Sequence, residues 1–566
     1  MPFCPRRASA PASFACVMLA LLSATSRAQS APIMTVLIKP GMMSEAVGKG
    51  DLDVTMTIPN VNIAANAPFL SMDMFVPGLA RPQTLNTFTV RDANGPVPIV
   101  SGNRPGTPPG KWVSTRDVKG DVTINYRLIA ENIPAIAGGP PIGVRIDGDG
   151  LSATGAAMLM APNVKGDYRI SLTWDLSAMG AGAEAVSSYG DGNVMLPAGP
   201  ISRLGTGLFM AGHLKHEPRT PSGAFSAVWV GEPKFDPRPS MQWTSKLHAA
   251  MSKHFKDETE PPYRVFLRYN PMNAGGGAAL THSFIVTYGT GVTGESLKSI
   301  LGHEMTHTWT ANGIGNWYDE GNAVFYQALL PWRAGLMTAD EYLDDLNKTA
   351  SRYYTNVLKN TPEDQVAPHF WEDTRIRVLP YDRGAMYFAV LNGKIRKASG
   401  GKRSLDDLIQ TMIVKAHSTQ PLSEDTWLEL LRTELGEDGI AVHRSMMSGG
   451  LMLPASEDFG PCFRRTTKPI RQFDLGFDNK SILGAEKIIQ GLKPGSEAAK
   501  AGLRNGDKIT YAVALDAVQG DVNRSINIQV TRDGKTFPLT YLPRGTAVDA
   551  YQWERNPNTP ANACKL

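Results

Sequence analysis

Apolar and polar residues alternate along much of the chain between Ile33 and about Val230. The clearest runs are 52–58, 122–128 and 168–174, in which every second residue is apolar. A period of two is typical of a β-strand with one buried face. Clusters of Gly and Pro, such as 138–141, interrupt these runs as turns between strands do. The pattern predicts a β-rich domain over residues 31–235, of the sandwich type.

Helical patterns begin near Pro239. Residues 245–255 predict a helix, and 263–268 and 283–288 predict strands on either side of a glycine-rich turn at 273–279. The two strands and their turn form either a plain hairpin or the edge to which an extended peptide adds its backbone. The sequence alone leaves both interpretations open.

An H-E-x-x-H pattern spans His303 to His307 within a further predicted helix. This helix should begin near Thr293 and end near Gly313, a natural helix stop. Residues i and i+4 lie on one helix face, so both imidazoles can bind a single metal ion. Glu304 lies about 100° around the helix, beside the open metal position, where a general base is needed. The pattern predicts a catalytic zinc site.

Two histidines do not complete such a site, because a catalytic zinc takes three protein ligands and leaves one position open. A second helix, predicted from about Glu320 to Leu330, can return to the histidines after the turn at Gly315. Glu320 is therefore the candidate third ligand of one Zn²⁺ ion.

At 566 residues the chain is long enough for three or four domains. Arg6 and Arg7, the apolar run 14–22 and small residues before position 28 predict a signal peptide over 1–28, and hence a secreted or periplasmic protein. Its removal lowers the formal charge from +4 to +1, which excludes a strongly basic nucleic-acid-binding protein. The mature chain has no apolar run long enough for a membrane span.

Signal cleavage also removes Cys4 and Cys16 and leaves Cys462 and Cys564. Two cysteines in an exported chain favour a disulfide that closes the C-terminal region. The alternative is two unrelated thiols.

Several segments together resemble the glycyl aminopeptidase family, which comprises PDZ-containing relatives of the thermolysin-like gluzincins. The similarity covers about Pro239 to the C-terminus. The segments that carry it are 303–309, 317–321, 263–268, 380–385 and 400–408.

This resemblance implies a multidomain α+β protein. Its parts are an N-terminal β-sandwich, a thermolysin-like, mostly helical catalytic domain over 239–460, a PDZ domain over 465–550 and a tail over 551–566. It also implies that His303, His307 and Glu320 bind zinc and that Glu304 is the base. Tyr381 is then the donor of a hydrogen bond to the developing oxyanion, with Arg383 in place of the usual lysine.

The chain departs from the family in its predicted substrate-binding turn, formed by Gly275, Gly276, Gly277 and Ala278. Relatives have an acid here that pairs with the free amino group of a substrate, whereas this chain has alanine or leucine. An unpaired ammonium group costs several kcal/mol to bury. Selectivity for a free N-terminus is therefore open, and an endopeptidase or oligopeptidase is the alternative to an aminopeptidase.

Residues 492–509 match the bacterial form of the PDZ domain. Leu475, Gly476 and Phe477 correspond to its carboxylate-binding loop, whose backbone N–H groups can bind the C-terminus of a peptide. A packing role for this domain is the alternative.

Together these features predict an exported zinc metallopeptidase that acts on a peptide or protein substrate, with an aminopeptidase-like activity. A non-catalytic PDZ scaffold that keeps zinc for structure is the alternative from another class.

Overall fold

The computed structural model describes residues 31–566 apart from a few short gaps. The gaps are 45, 47, 106, 136–138, 220–224, 258–261, 271–272, 311–312, 417–421, 484–485, 512–513, 561–563 and 565–566. The predicted signal peptide lies outside the described residues. The described residues form two compact units, of which the first comprises those up to 75, 82–132 and 144–213 and the second 76–81, 133–143 and those from 214 onwards.

The first unit consists mainly of β-strands, as the alternating pattern predicts. Its strands are β1 Ile33–Pro40, β2 Lys49–Ile63, β3 Pro68–Ser71, β4 Thr84–Asp92, β5 Gly95–Pro96, β6 Ile99–Ser101, β7 Lys111–Ser114, β8 Val118–Glu131, β9 Arg145–Asp147, β10 Gly150–Thr154, β11 Ala161–Pro162, β12 Tyr168–Trp174, β13 Glu184–Ser187, β14 Gly190–Asp191, β15 Val194–Gly199 and β16 Leu208–Gly212. A short helix, α1, spans Gly155–Met158, and 3₁₀ turns span Ser177–Met179 and Ile201–Thr206.

These strands form three sheets around a shared core. The strand orders are β15-β12-β1-β2-β8-β4-β5, β14-β13-β16-β10-β9 and β11-β3-β7-β6. Along β2, Leu52, Val54, Met56 and Ile58 are buried while the residues between them are partly exposed. The alternation places apolar side chains on one face, and burial of that face accounts for the sheet.

The second unit begins with a five-stranded mixed sheet. Its strands are β17 Lys215–Glu217, β18 Phe225–Trp229, β19 Tyr263–Tyr269, β20 Gly277–Leu280 and β21 Ser283–Tyr288, in the order β17-β18-β19-β21-β20. β18 pairs with β19 in parallel, so the first unit ends at His213 and not at the predicted residue 235. β20 is an edge strand and pairs with β21 in antiparallel fashion.

Helices make up most of the remainder of this unit up to Met447, as predicted. They are α2 Arg238–Phe255, α3 Lys298–Thr310, α4 Asn316–Arg333, α5 Ala339–Tyr354, α6 Val366–His369, α7 Thr374–Arg377, α8 Leu379–Ala398, α9 Leu405–Ala416, α10 Glu424–Leu435 and α11 Glu437–Met447. 3₁₀ turns span Glu295–Leu297 and Glu363–Gln365. α4 packs against both α3 and α8, and these three helices carry the candidate site.

The C-terminal segment continues in the same unit. Its elements are β22 Phe463–Phe473, a 3₁₀ turn Asn479–Ile482, α12 Glu497–Lys500, β23 Lys508–Tyr511, α13 Leu515–Gly520, β24 Ile526–Arg532, β25 Lys535–Tyr541 and β26 Arg544–Arg555. β22 pairs with β26, and β23, β24 and β25 form a separate sheet around a small core of their own. The predicted pair, Cys462 and Cys564, forms a disulfide that links the start of β22 to the tail.

Residues 133–143 belong to the second unit although the chain on either side of them belongs to the first. Arg268 of β19 is buried, and its guanidinium donates hydrogen bonds to the backbone oxygens of Pro141, at 2.7 Å, and Gly143. Asn273 donates to the backbone oxygen of Gly139. Hydrogen bonds therefore join this segment to β19 and to the turn after it, both of which precede α3 in the chain.

None of the helices within the described ranges is both long enough and apolar enough to cross a membrane.

Candidate metal centre

α3, which carries both histidines, begins after a 3₁₀ turn that is capped locally. The Thr293 hydroxyl accepts from the Ser296 backbone N–H at 3.2 Å, and the Ser296 hydroxyl accepts from the Thr293 N–H at 3.0 Å. Leu297, Leu301 and Met305 are fully buried, as the predicted apolar stripe requires. Burial of this stripe fixes the rotation of α3, and the face with the two histidines is thereby held towards α4.

Glu320 lies in the second turn of α4, which begins at Asn316, four residues earlier than predicted. Its Oε2 is 3.2 Å from His303 Nε2 and 3.4 Å from His307 Nε2, and the two Nε2 atoms are 3.2 Å apart. Tetrahedral bonds of 2.0–2.1 Å separate neighbouring ligand atoms by about 3.3–3.4 Å. The three atoms therefore have the spacing of three corners of a zinc tetrahedron, and the donor types are those that zinc prefers.

The electrostatics of the two glutamates differ. Burial raises the pKa of Glu320, but hydrogen bonds and charge attraction from His303 and His307 outweigh it, so its pKa falls well below the usual value. Burial raises the pKa of Glu304 to about 7, while His303 lowers it and the charge of Glu320 raises it further. The charged form of Glu320 is thus stabilised, whereas burial disfavours the charged form of Glu304.

The Glu304 side chain lies against the edge strand β20. The Ala279 backbone N–H donates to its carboxylate. A Cβ on Gly277 would be 2.5 Å from Glu304 Oε1, and its backbone φ is not in the left-handed region. A side chain at 277 would therefore collide with the candidate base unless Glu304 or β20 moved.

The four residues of the predicted substrate-binding turn divide between a turn and the edge strand. Gly275 and Gly276 lie in the turn, where their N–H groups donate to the Thr287 backbone oxygen, at 2.9 Å, and to the Asn273 backbone oxygen. Gly277 and Ala278 lie in β20 itself. The N–H groups of Gly275 and Gly276 thus form hydrogen bonds within the protein. Gly277, in contrast, lies in the edge strand β20 next to Glu304.

Tyr381 lies in the first turn of α8, and its hydroxyl hydrogen-bonds to Glu320. Its ring is 5.9 Å from that of His303, with the ring planes 16° apart. Burial and the nearby charge of Glu320 raise its pKa well above the usual value, so the phenol keeps its proton. This tyrosine was predictable only from the family resemblance, and the fold brings it to the two histidines and Glu320.

Two glycines account for how close α8 comes to α4. A Cβ on Gly321 would be 2.7 Å from Gly384 Cα, and one on Gly384 would be 2.6 Å from the Trp317 backbone oxygen. The helices therefore touch at their backbones directly beside Glu320. Arg383, on the same turn of α8, points elsewhere, since it is fully buried and paired with Glu363.

Sequence reasoning missed the residue behind the first histidine. His303 Nδ1 lies 3.2 Å from Gln327 Oε1, and the Gln327 amide donates to Asp345 at 2.9 and 3.1 Å. This arrangement holds the proton on Nδ1 and leaves Nε2 free to bind a metal, which is the usual role of an outer-shell partner. Gln327 follows Glu320 by seven residues, two helical turns later on the same face, and that spacing is the signal that could have identified it.

The predicted carboxylate-binding loop of the C-terminal segment is occupied from within. The Gly476 N–H donates to Asp474 Oδ1 at 2.9 Å, and the Asp474 carboxylate is also paired with Lys493. Leu475 and Phe477 are buried in the small core of this segment. A peptide carboxylate would have to displace an internal one to reach the Gly476 N–H.

No family model and no curated protein matches this chain. Solved structures do. The aminopeptidase N family protein from Idiomarina loihiensis has a TM-score of 0.64 at 14% identity, over 92% of this chain and 98% of that one. An M1 zinc metallopeptidase from Deinococcus radiodurans scores 0.46 at 16% identity (75% and 96% covered), and native yeast LTA4 hydrolase scores 0.48 at 12% (75% and 68%). The first of these likenesses establishes the fold, which extends over nearly the whole chain.

Proposed function

We propose that this protein is a zinc metallopeptidase that hydrolyses peptide bonds, with an aminopeptidase-like activity. The observation that carries the proposal is the set of ligand atoms from His303, His307 and Glu320, separated by 3.2–3.4 Å, with a buried glutamate next to them. Further support comes from the fold shared with the Idiomarina aminopeptidase N family protein.

Zinc, when bound by these three residues, would polarise a peptide carbonyl and make a water molecule more acidic. Glu304 is placed to take a proton from that water and return it to the leaving amine, because its carboxylate faces the same space. Tyr381 remains protonated and can donate its hydroxyl hydrogen to the carbonyl oxygen as negative charge develops there. Gln327 holds His303 in the tautomer that leaves Nε2 free.

The edge strand β20 suggests how a substrate is held. An extended peptide can pair with the outer edge of β20, which places its backbone beside Glu304. The backbone N–H and C=O groups of successive residues in a strand point to opposite edges. The Gly276 oxygen points to β21, because it accepts from the Thr287 N–H. Gly277 therefore directs its backbone groups away from β21, towards the substrate.

An endopeptidase or oligopeptidase is the second candidate. It is favoured by the absence of any acid from β20, whose sequence is Gly-Ala-Ala-Leu, so that this strand offers no partner for a substrate ammonium group. Cleavage of free peptides and of the same peptides with an acetylated N-terminus distinguishes the two. A strict aminopeptidase cleaves only the free form, whereas equal rates would identify the second candidate.

We also propose that the family resemblance extends to the C-terminal segment, as a PDZ-like domain, and that the mature protein is secreted or periplasmic. The Cys462–Cys564 disulfide supports export, because such bonds persist in oxidising compartments.

The test compares Glu304→Gln with the wild type on aminoacyl p-nitroanilides and a peptide library. We expect the variant to lose turnover by at least a thousandfold while its zinc content, measured by elemental analysis, stays at one ion per chain. Glu295→Gln is the matched control, because Glu295 lies just ahead of α3 and is exposed.

Wild-type activity in Glu304→Gln would refute the role of Glu304 as the general base. Bound zinc without hydrolysis of any peptide by the wild type would instead support the non-catalytic scaffold.

A further inference from the structure

The C-terminal segment contacts the catalytic helices through β26, which packs against α5, and through the short helix α13. α13 packs against α5 and against α7. At its far end, a Cβ on Gly520 would be 3.5 Å from Arg352 Nη1 of α5. The C-terminal segment therefore contacts α7, the element that directly precedes α8 and Tyr381 in the chain.

Asp516 of α13 binds α7 through both carboxylate oxygens. Arg377 Nε donates to Oδ2 at 2.9 Å, and Arg377 Nη2 and the Thr374 hydroxyl both donate to Oδ1. Arg377 is largely buried, and Asp516 is partly shielded. A bidentate arginine–carboxylate pair with a third donor is a strong and directional contact. It holds both ends of the four-residue helix α7.

Only Val378 separates α7 from α8. The Val378 N–H donates to the Thr374 backbone oxygen at 3.1 Å, and the Asp382 N–H donates to the Val378 oxygen at 2.9 Å. A shift of α7 is thus transmitted through one residue to the first turn of α8. Tyr381 lies in that turn.

The first turn of α8 is also held by an ion pair to the buried Asp382. Asp382 is fully buried, and Arg352 donates to both of its oxygens at 2.6–3.0 Å. In sequence, Tyr381 lies between Arg377, which is bound by Asp516, and Asp382, which is bound by Arg352.

We propose that Asp516 is a positioning residue for Tyr381, so that the C-terminal segment completes the catalytic centre by holding α7 in place. The inference rests on the proposed function, since it assigns Tyr381 a catalytic role. Asp516 acts through α7 and does not bind substrate, because Arg377 already neutralises its carboxylate.

The test is a double-mutant cycle between Asp516→Ala and Tyr381→Phe in the full-length protein. We expect Asp516→Ala to lower kcat by about ten- to a hundredfold, since a displacement near 1 Å at a catalytic group costs about that much. KM and zinc content should stay within about twofold of the wild type. In the Tyr381→Phe background the same substitution should have little further effect, because the group on which it acts is gone.

Two further variants distinguish a loss of positioning from misfolding. The charge swap Asp516→Arg with Arg377→Asp restores the ion pair and should recover most of the lost kcat. Glu486→Gln is the matched control, because it removes an exposed pair with Lys508 in the same segment and should leave kcat unchanged. Melting temperatures are measured for all variants.

The outcomes separate the two proposals. Two results would overturn the positioning role and leave the proposed peptidase activity standing. One is a double mutant in which the two losses of activation free energy add. The other is a rise in KM restricted to substrates with a free amino group. A wild type that binds zinc and hydrolyses no peptide would overturn both.

Discussion

Replacement of Gly277 by alanine tests how closely the edge strand and the candidate base fit together. The added Cβ would be 2.5, 2.6 and 2.7 Å from Oε1, Cγ and Cδ of Glu304. Ordinary contacts begin near 3.4 Å, so either the carboxylate or β20 must move by about 0.7–0.9 Å. The backbone φ at 277 is one that alanine adopts freely, so only the collision is tested.

A displacement of this size at a catalytic base costs about a hundredfold in rate, or about 2.7 kcal/mol of transition-state stabilisation. We therefore expect Gly277→Ala to lower kcat/KM for peptide hydrolysis by about a hundredfold. Zinc content should not change, because the three atoms nearest to the added Cβ all belong to Glu304 and none to a candidate ligand.

The control is Gly205→Ala, for which the nearest atom to the new Cβ is 3.7 Å away. It should leave kcat/KM within about twofold of the wild type. Equal activity of Gly277→Ala and the wild type would refute the close packing of β20 on Glu304, and with it the inferred position of the substrate.

Three more outcomes are expected. Glu320→Ala should lose zinc, and an unchanged metal content by elemental analysis would exclude Glu320 as the third ligand. Gln327→Met removes the partner of His303 Nδ1 and should weaken zinc binding about ten- to a hundredfold in a chelator competition assay, as loss of an outer-shell partner does; unchanged affinity would contradict that role. Replacement of Cys462 and Cys564 by serine opens a loop of 102 residues and should lower the unfolding free energy by up to about 4.7 kcal/mol in denaturant titration, an effect that prior reduction of the wild type should reproduce.

The proximity of the three candidate ligands could be predicted because their geometry is local. His303 and His307 are one helical turn apart, and Glu320 follows after a short turn, so periodicity and spacing were enough. The start of α4 was placed four residues too late, because the sequence gives no sharp cap before Asn316. The β-rich character of the first unit also followed from simple alternation.

Contacts between distant parts of the chain could not be predicted. Because β18 pairs with β19, the first unit ends at His213 and not at residue 235. The sequence pattern of residues 215–229 does not distinguish them from the strands that precede them. The Asp516–Arg377 contact joins positions 139 residues apart. The steric role of Gly277 depends on the position of α3, so the sequence indicated only a glycine-rich turn where the structure shows a close contact.

The anchoring of residues 133–143 on β19 determines how this protein can be divided. A fragment that starts at residue 214 keeps every candidate catalytic residue, and by sequence it looks like a complete enzyme. It would nevertheless lose the Pro141 and Gly143 oxygens that accept from the buried guanidinium of Arg268. Each hydrogen bond to a charged group contributes about 1.5–3 kcal/mol, so the fragment should be less stable than the full-length protein. Residues 133–143 are therefore part of the unit that carries the candidate site, and a cut at residue 214 would separate β19 from the segment that binds Arg268.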